Sequence, residues 1–276
     1  MTRKLDHQSQ KSRHTLEVDR LQVRYGQRTI IRDLSVAFPP GSITSIIGPN
    51  GCGKSTLLAA CSRLVKPSSG AVLLDGKPVS QLRPKSFART VGMLPQFPLA
   101  PEGISVADLV GRGRQPHQNL FGSFSPEDYA AIARAMEVTK VADLADRAVD
   151  ELSGGQKQRV WIAMVLAQHT DIILLDEPTT YLDIAHQLEI LDLLTELNRT
   201  ESTTVVMVLH DINLAARYSD HIVAMKDGEV LAAGAPAEII SPSLIRKVFA
   251  INSRILPDPA GAGPLISPLG RFHGAV

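Results

Sequence analysis

Cysteine is scarce in this chain. Its 276 residues hold only Cys52 and Cys61, which excludes a disulfide framework. A secretory leader is also missing, because Met1 to Thr15 is polar and charged without an apolar stretch. These two absences lead to an expected cytoplasmic, reducing setting. Apolar runs are short, such as Ile172 to Leu175 and Val205 to Leu209. None approaches the ~18 residues that span a bilayer, so a role at a membrane has to run through a partner. A charge excess is lacking too. The 29 Lys plus Arg residues nearly balance 28 Asp plus Glu. That leaves no basic footprint for nucleic acid and no net attraction to an anionic membrane. What is present is a 44% hydrophobic composition, enough for a sizeable core in one large domain or a core with a smaller insertion.

Met1 to Thr15 reads as a disordered tail. Leu16, Val18, Leu21, Val23 and Tyr25 alternate with a one-residue slip near Arg20, which predicts a strand with a bulge. Leu34, Val36 and Phe38 alternate again before the Pro39-Pro40-Gly41 turn. Ile43 to Ile47 predicts a strand that ends at a glycine-rich loop, with a helix from Lys54. Between Phe97 and Asp150 the pattern turns to helices and loops. There, Ser125-Pro126-Glu127-Asp128 is a helix start: a Ser cap, Pro in the first turn, then acids at the positive end of the dipole. Ile172 to Leu175 and Val205 to Leu209 suit central parallel strands covered on both faces. Ile184, Leu188, Leu191 and Leu194 recur between them at helical spacing. This strand–helix–strand order predicts an α/β sheet. From Leu256 on, Pro and Gly predict a segment that wraps loosely on the surface.

Gly48-Pro49-Asn50-Gly51-Cys52-Gly53-Lys54-Ser55 fits the phosphate-binding loop. Its glycines let the backbone curl so that N–H groups converge on phosphate oxygens, and the helix from Lys54 adds its positive dipole end. Lys54 can reach the β- and γ-phosphates and Ser55 can ligate Mg2+. Cys52 reads as a small spacer, since no base stands nearby in sequence. Asp176 and Glu177 follow an apolar strand, at the edge where α/β sheets bind ligands. Two adjacent acids repel without a cation nearby. Asp176 is therefore expected to hold Mg2+, directly or through water, and Glu177 to polarise the attacking water. His210 follows another apolar strand on the same predicted edge, which points it at the γ-phosphate. The other seven histidines read as packing or surface residues.

With these motifs in order, the chain resembles the ABC transporter ATPase family over roughly Leu16 to Leu269. The distinguishing element is Leu152-Ser153-Gly154-Gly155-Gln156, the family signature. Ser153 caps a helix whose first N–H groups two glycines leave uncovered, a second anion site. The resemblance implies two subunits packed head to tail, the signature of one covering the γ-phosphate held by the other. It also implies that Tyr25 stacks on adenine, the alternative being a strand-end core aromatic. Gln96 resembles the glutamine that touches Mg2+ and the attacking water, the alternative being a solvated loop residue. Thr180-Tyr181-Leu182-Asp183 resembles the loop that crosses the dimer interface, and Asp183 can also cap the next helix. The implied ATP contacts are Tyr25, the loop from Gly48 through Ser55 with Thr56, Gln96, Ser153, Gly154, Gly155, Gln156 and Asp183. The implied catalytic set is Glu177, His210, Lys54 and Gln96, with Ser55, Gln96 and Asp176 on the metal.

A finer resemblance is to the ATPases of ferric-siderophore importers, the ferric enterobactin type in particular. It rests on Gly111-Arg112-Gly113-Arg114-Gln115-Pro116-His117-Gln118, the stretch Trp161 to Gln168, Pro178 to Asp183, and Pro-Leu-Gly-Arg ending at Arg271. Trp161 also reads as helix packing, and the first stretch as a basic turn. Haem and cobalamin importers use similar ATPases. A soluble ABC protein acting on ribosomes or DNA usually carries two cassettes or a coiled-coil insert, neither of which is seen here. The implied fold is an α/β P-loop NTPase core, RecA-like, with an N-terminal antiparallel β subdomain and an inserted α-helical subdomain. The expected division is a tail at 1–15, an ATPase domain at 16–240 with the helical insertion at about 97–160, and a C-terminal helix and Pro/Gly-rich tail at 241–276. The expected cofactors are ATP and Mg2+. The expected partners are a second copy of the chain, integral-membrane permease subunits and, indirectly, a siderophore-binding protein, but no nucleic acid. The expected place is the cytoplasmic face of the cytoplasmic membrane.

Overall fold

The computed structural model describes residues 14–118, 123–180, 182–261 and 263–270. Tyr181, Arg271 and all but two residues of the expected tail lie outside the described residues. The two tail residues inside them are tied down: Asp75 accepts from the Thr15 backbone N–H at 2.9 Å and its carboxylate lies 2.6 Å from the His14 ring.

β1 (Leu16–Tyr25) and β2 (Arg28–Phe38) pair antiparallel. The expected slip is a register shift between Val18 and Leu21, with Arg20 at φ 45°. The bulge keeps both Val18 and Leu21 on the buried face. β3 (Ile43–Ile47), buried at every position, runs into the glycine loop and α1 (Lys54–Cys61). β4 (Ser69–Leu74) returns to pair with β1, and β5 (Lys77–Pro78) closes a sheet of order β2-β1-β4-β5. α2 (Pro84–Thr90) leads into β6 (Val91–Leu94).

The helices α3 (Val106–Gly111), α4 (Pro126–Val138) and α5 (Gly154–Ala167) come next, and β7 (Ile172–Asp176) then pairs parallel with β6. The helical run is thus inserted between two neighbouring strands. Ser125 caps α4 as its sequence predicts, and Asp128 answers by accepting from the Ser125 N–H at 2.9 Å. The same Asp128 takes Arg114 Nε at 2.7 Å, a buried ion pair. The Ser125 N–H, first, and Arg114 hold that carboxyl below its ordinary range against the opposing effect of burial.

α6 (Ile184–Glu201), β8 (Thr204–Val208), α7 (Ile212–Tyr218), β9 (His221–Lys226) and β10 (Glu229–Gly234) complete a six-stranded sheet of order β10-β9-β3-β8-β7-β6. All its neighbours are parallel except β10. Ile173 and Leu175 of β7 face the helical cluster, while Ile172 and Leu174 face α1 and the antiparallel sheet. That two-sided burial is why the strand reads as an unbroken apolar run. Among the described residues, no helix is long and apolar enough to cross a membrane.

The structure refines one expectation and corrects another. On α6, Ile184 is 76% exposed and Leu188 half-buried; the buried residues are Ile190, Leu191 and Leu194. The spacing predicted the helix but not which turns meet the core. Over its described residues, the C-terminal segment is not loosely wrapped. After α8 (Pro236–Ile239) and α9 (Pro242–Phe249), β11 (Asn252–Pro257) and β12 (Pro264–Leu269) form an antiparallel hairpin. Asn213 of α7 donates to the Ile266 carbonyl at 3.1 Å and accepts from its N–H at 2.7 Å. Arg217 grips Asp258 through two hydrogen bonds, and Ile266 enters the core.

Candidate nucleotide-hydrolysis site

A cleft of about 520 Å3 opens where β3, β7 and β8 end. Its floor is the glycine loop. A Cβ on Gly48 would sit 2.3 Å from the Met225 carbonyl oxygen, so only glycine permits this approach. Gly53, in the left-handed region at φ 107°, occupies the N-cap of α1 without offering a side-chain cap. The first N–H groups of α1 therefore have no side chain closing them off, which suits an anion. Lys54 is 5% exposed and folds onto its own loop, donating to the Gly48 and Pro49 carbonyls at 2.9 and 3.0 Å. Asn50, Gly51, Ser55 and Thr56 also line the cleft. Cys52 is buried, and burial pushes its thiol up, which agrees with a spacer rather than a nucleophile.

The acids stand opposite. Asp176, at the end of β7, accepts from Ser55 Oγ at 3.0 Å. Burial, with the neighbouring Glu177 charge adding, raises the Asp176 carboxyl despite that bond. Glu177 sits just past the strand in the left-handed region, φ 55°. Non-glycine residues held there cost about 1–3 kcal/mol, so the surroundings have to hold it. They do so at three points. Gln96 Nε2 and Thr180 Oγ1 donate to Oε2 at 2.6 and 3.0 Å, and His210 Nε2 lies 2.6 Å from Oε1. Burial pushes the Glu177 carboxyl up, but these bonds, His210 foremost, outweigh it and hold the group below its ordinary range.

Gln96, Glu177 and His210 come from three strand ends that are far apart in sequence. Gln96 is thus no solvated loop residue. Tyr25, at the end of β1, is 51% exposed and lines the cleft, so it is not a core aromatic. The Ser55 hydroxyl, the Asp176 carboxylate and the Gln96 amide oxygen are the kind of donors that a hard ion such as Mg2+ takes. No group of three His, Cys, Asp or Glu side chains among the described residues could hold a metal alone. A cation here would need further oxygens, as phosphates supply.

The signature lies elsewhere. Ser153, Gly154, Gly155, Gln156 and Asp183 do not line the cleft of their own chain. Ser153 Oγ accepts from the Gln156 N–H, and Gln156 Oε1 accepts from the Ser153 N–H at 3.0 Å, a reciprocal box that caps α5. Nothing within 4 Å would meet a Cβ on Gly154. Asp183 caps α6 by accepting from the His186 N–H at 2.9 Å. Sequence reasoning missed three residues of the cleft. Thr180 holds Glu177, and Arg28 and Ile30 form a wall. Thr180 was visible inside the Pro178 to Asp183 stretch. Arg28 and Ile30 carry no local signal, because their place depends on how β2 packs on the loop.

The ABC transporter family profile matches residues 31–180. The chain is 54% identical over 256 residues to the probable siderophore transport system ATP-binding protein YusV of Bacillus subtilis, covering 93% of each. It is 50% identical over 256 residues to the ferric enterobactin transport ATP-binding protein FepC of Escherichia coli, covering 93% of this chain and 94% of that one. A dimeric bacterial ABC transporter cassette superposes with a TM-score of 0.71 at 30% identity, over 80% of this chain and 98% of that one. The cleft, the separate signature helix and these matches agree: the chain belongs to the ABC transporter family.

Proposed function

We propose that this chain is the ATP-hydrolysing subunit of an importer that drives ferric siderophore across the cytoplasmic membrane. It works as a homodimer beneath integral-membrane permease subunits, on the cytoplasmic face, with a siderophore-binding protein delivering cargo from outside. The observation that carries the reading is end-to-end likeness to siderophore-importer ATPases in a chain whose cleft keeps Lys54, Asp176, Glu177 and His210 together.

The geometry supports a division of labour. The open N–H groups at the start of α1 and the Lys54 ammonium hold the β- and γ-phosphates, for which Lys54 exchanges its loop carbonyls. Tyr25 and Arg28 bound the end of the cleft suited to the base. Ser55, Asp176 and Gln96 would hold Mg2+, which would supply charge neutralisation for the phosphates. Glu177, low in pKa and aimed by three partners, is an ionised acceptor that orients a water for in-line attack. His210 joins Glu177 to the γ-phosphate. The Ser153–Gln156 turn does not line its own cleft and acts instead on the nucleotide of a second copy. Positioning and charge stabilisation carry the rate.

The test is uptake of radiolabelled iron, given as ferric enterobactin and as a ferric hydroxamate, to iron-starved source cells lacking redundant importers. Cells carrying the unsubstituted chain are expected to take up at least one complex, and Lys54→Ala at equal protein level neither. Equal uptake by both strains would refute the iron assignment while leaving the ATPase to be assayed directly.

A further inference from the structure

Two hairpins in this chain turn on the same dipeptide. Asp75-Gly76 joins β4 to β5 and Asp227-Gly228 joins β9 to β10. Both are two-residue turns with positive φ at each position: 52° and 72° in the first, 51° and 81° in the second. Their surroundings differ. A Cβ added to Gly76 would meet nothing within 4 Å. One added to Gly228 would lie 2.1 Å from the Ile30 carbonyl oxygen and 3.0 Å from its carbon, both backbone atoms. From its other side, Gly228 donates its N–H to the Cys52 carbonyl at 3.0 Å. The second turn is wedged between β2 and the glycine loop.

The strand leading into that turn makes a second contact of the same kind, with the Met225 carbonyl against Gly48. The hairpin thus touches the loop at its first glycine and again at Cys52, where it bends toward α1. It meets β2 at Ile30, a residue that lines the cleft two positions beyond Arg28. β2 belongs to the antiparallel sheet that carries Tyr25, and the loop belongs to the parallel sheet. The wedge therefore sits on the joint between the wall beside Tyr25 and the phosphate cradle.

We infer that Gly228 is a positioning residue: the Asp227-Gly228 turn sets the spacing between the Tyr25 wall and the phosphate loop, and so the affinity for ATP. It touches no nucleotide itself. Any side chain here would push β2 and the loop apart, so that the Tyr25 wall and the phosphate cradle would no longer meet one nucleotide at the same time. The inference rests on reading the cleft as the ATP site.

Gly76 supplies a matched control, since alanine there carries the same backbone strain without the clash. The full-length chain and its Gly228→Ala and Gly76→Ala variants would be titrated calorimetrically with a non-hydrolysable ATP analogue, and melted without it. The expected result is an affinity lowered at least about 10-fold by Gly228→Ala, a loss of about 1.4 kcal/mol, and unchanged within error by Gly76→Ala. Equal affinities in the two folded variants would overturn the inference. Insertion of one glycine after Gly228, matched by one after Gly76, loosens the wedge without adding a Cβ, so it reads the same spacing if Gly228→Ala does not fold. Failure of both Gly228 variants to fold, with both Gly76 variants folded, would make the turn a folding element only and overturn it too. No binding by the unsubstituted chain would overturn the reading of the cleft, and this inference with it.

Discussion

Two helices, α1 after the glycine loop and α5 after the signature, are anchored at opposite ends. α1 starts at Gly53 with no side-chain cap, and its first turn is enclosed by the glycine loop and braced by β9 and the turn after it. α5 starts at Ser153 with its own capping box, exposed to solvent, and is gripped at the far end instead. There Arg114 Nη1 donates to the Ala167 carbonyl at 2.9 Å, and the His117 ring meets the Gln168 carbonyl at 2.8 Å. Gln168 reaches the Ala88 carbonyl of α2 at 2.5 Å. The Gly111 to Gln118 stretch is thus a bracket on the C-terminal end of α5, not a free basic turn. The helix after the glycine loop is thus fixed at its N-terminus, whereas α5 keeps an exposed N-terminus on a shaft held from behind.

The contrast can be broken at several points. Removing the acceptor at the first site is the strongest. Glu177→Gln is expected to lower hydrolysis about 10²- to 10⁴-fold, the usual share of a general base, while ATP binding persists. Phosphate release would read the rate and size-exclusion chromatography with ATP would read a trapped dimer. Hydrolysis at the normal rate would remove Glu177 from the role.

The shaft of α5 comes next. Arg114→Ala strands Asp128, a buried carboxylate, and breaks the bracket. Losing one partner of a buried pair costs about 3–5 kcal/mol, measurable in urea titration. A loss below about 1 kcal/mol would show that the bracket does not hold α5.

Ser153→Ala separates cap from site. As a cap alone, Ser153 contributes about 1 kcal/mol. The expected outcome is that small loss in melting together with a larger fall in ATP hydrolysis. Gly in its place, which caps nearly as well as Ser, should restore stability but not activity. Activity that follows stability in both variants would make the signature serine merely a cap.

The smallest effect is with pH. Asp258 is held below the ordinary carboxylate range, first by its bonds from Arg217 and then by the Ala260 N–H. A carboxyl lowered on folding stabilises the fold above its unfolded pKa, and that share is lost as pH falls through the folded value. Melting temperature should therefore drop below about pH 4, and Asp258→Asn should flatten that acid slope while lowering stability at neutral pH. An unchanged slope would show that the Arg217–Asp258 clamp contributes nothing.

Much of this was legible locally. The slip at Arg20, the Ser125 start of α4 and the strand–loop–helix around Lys54 each depend on neighbours a few residues away. So do the Ser153 cap and the two acids at the end of β7. Their chemistry is written in short windows because caps, turns and phosphate loops are short-range devices. The α6 spacing marked the helix, but periodicity marks a face without saying how far along it the core extends, so the exposed position of Ile184 was not legible.

By itself, then, the sequence determined the elements and the inventory of the site: a loop for phosphate, two acids, a histidine, an aromatic and a second capped helix. Tertiary structure alone decided what lies between them. It joined Gln96, Thr180 and His210 on one carboxylate, folded 252–257 onto 264–269 against Asn213, bracketed α5 from behind, and wedged one Asp-Gly turn while leaving its twin free. These depend on contacts between segments distant in the chain, where packing and hydrogen-bond satisfaction select among placements that local preference leaves equal.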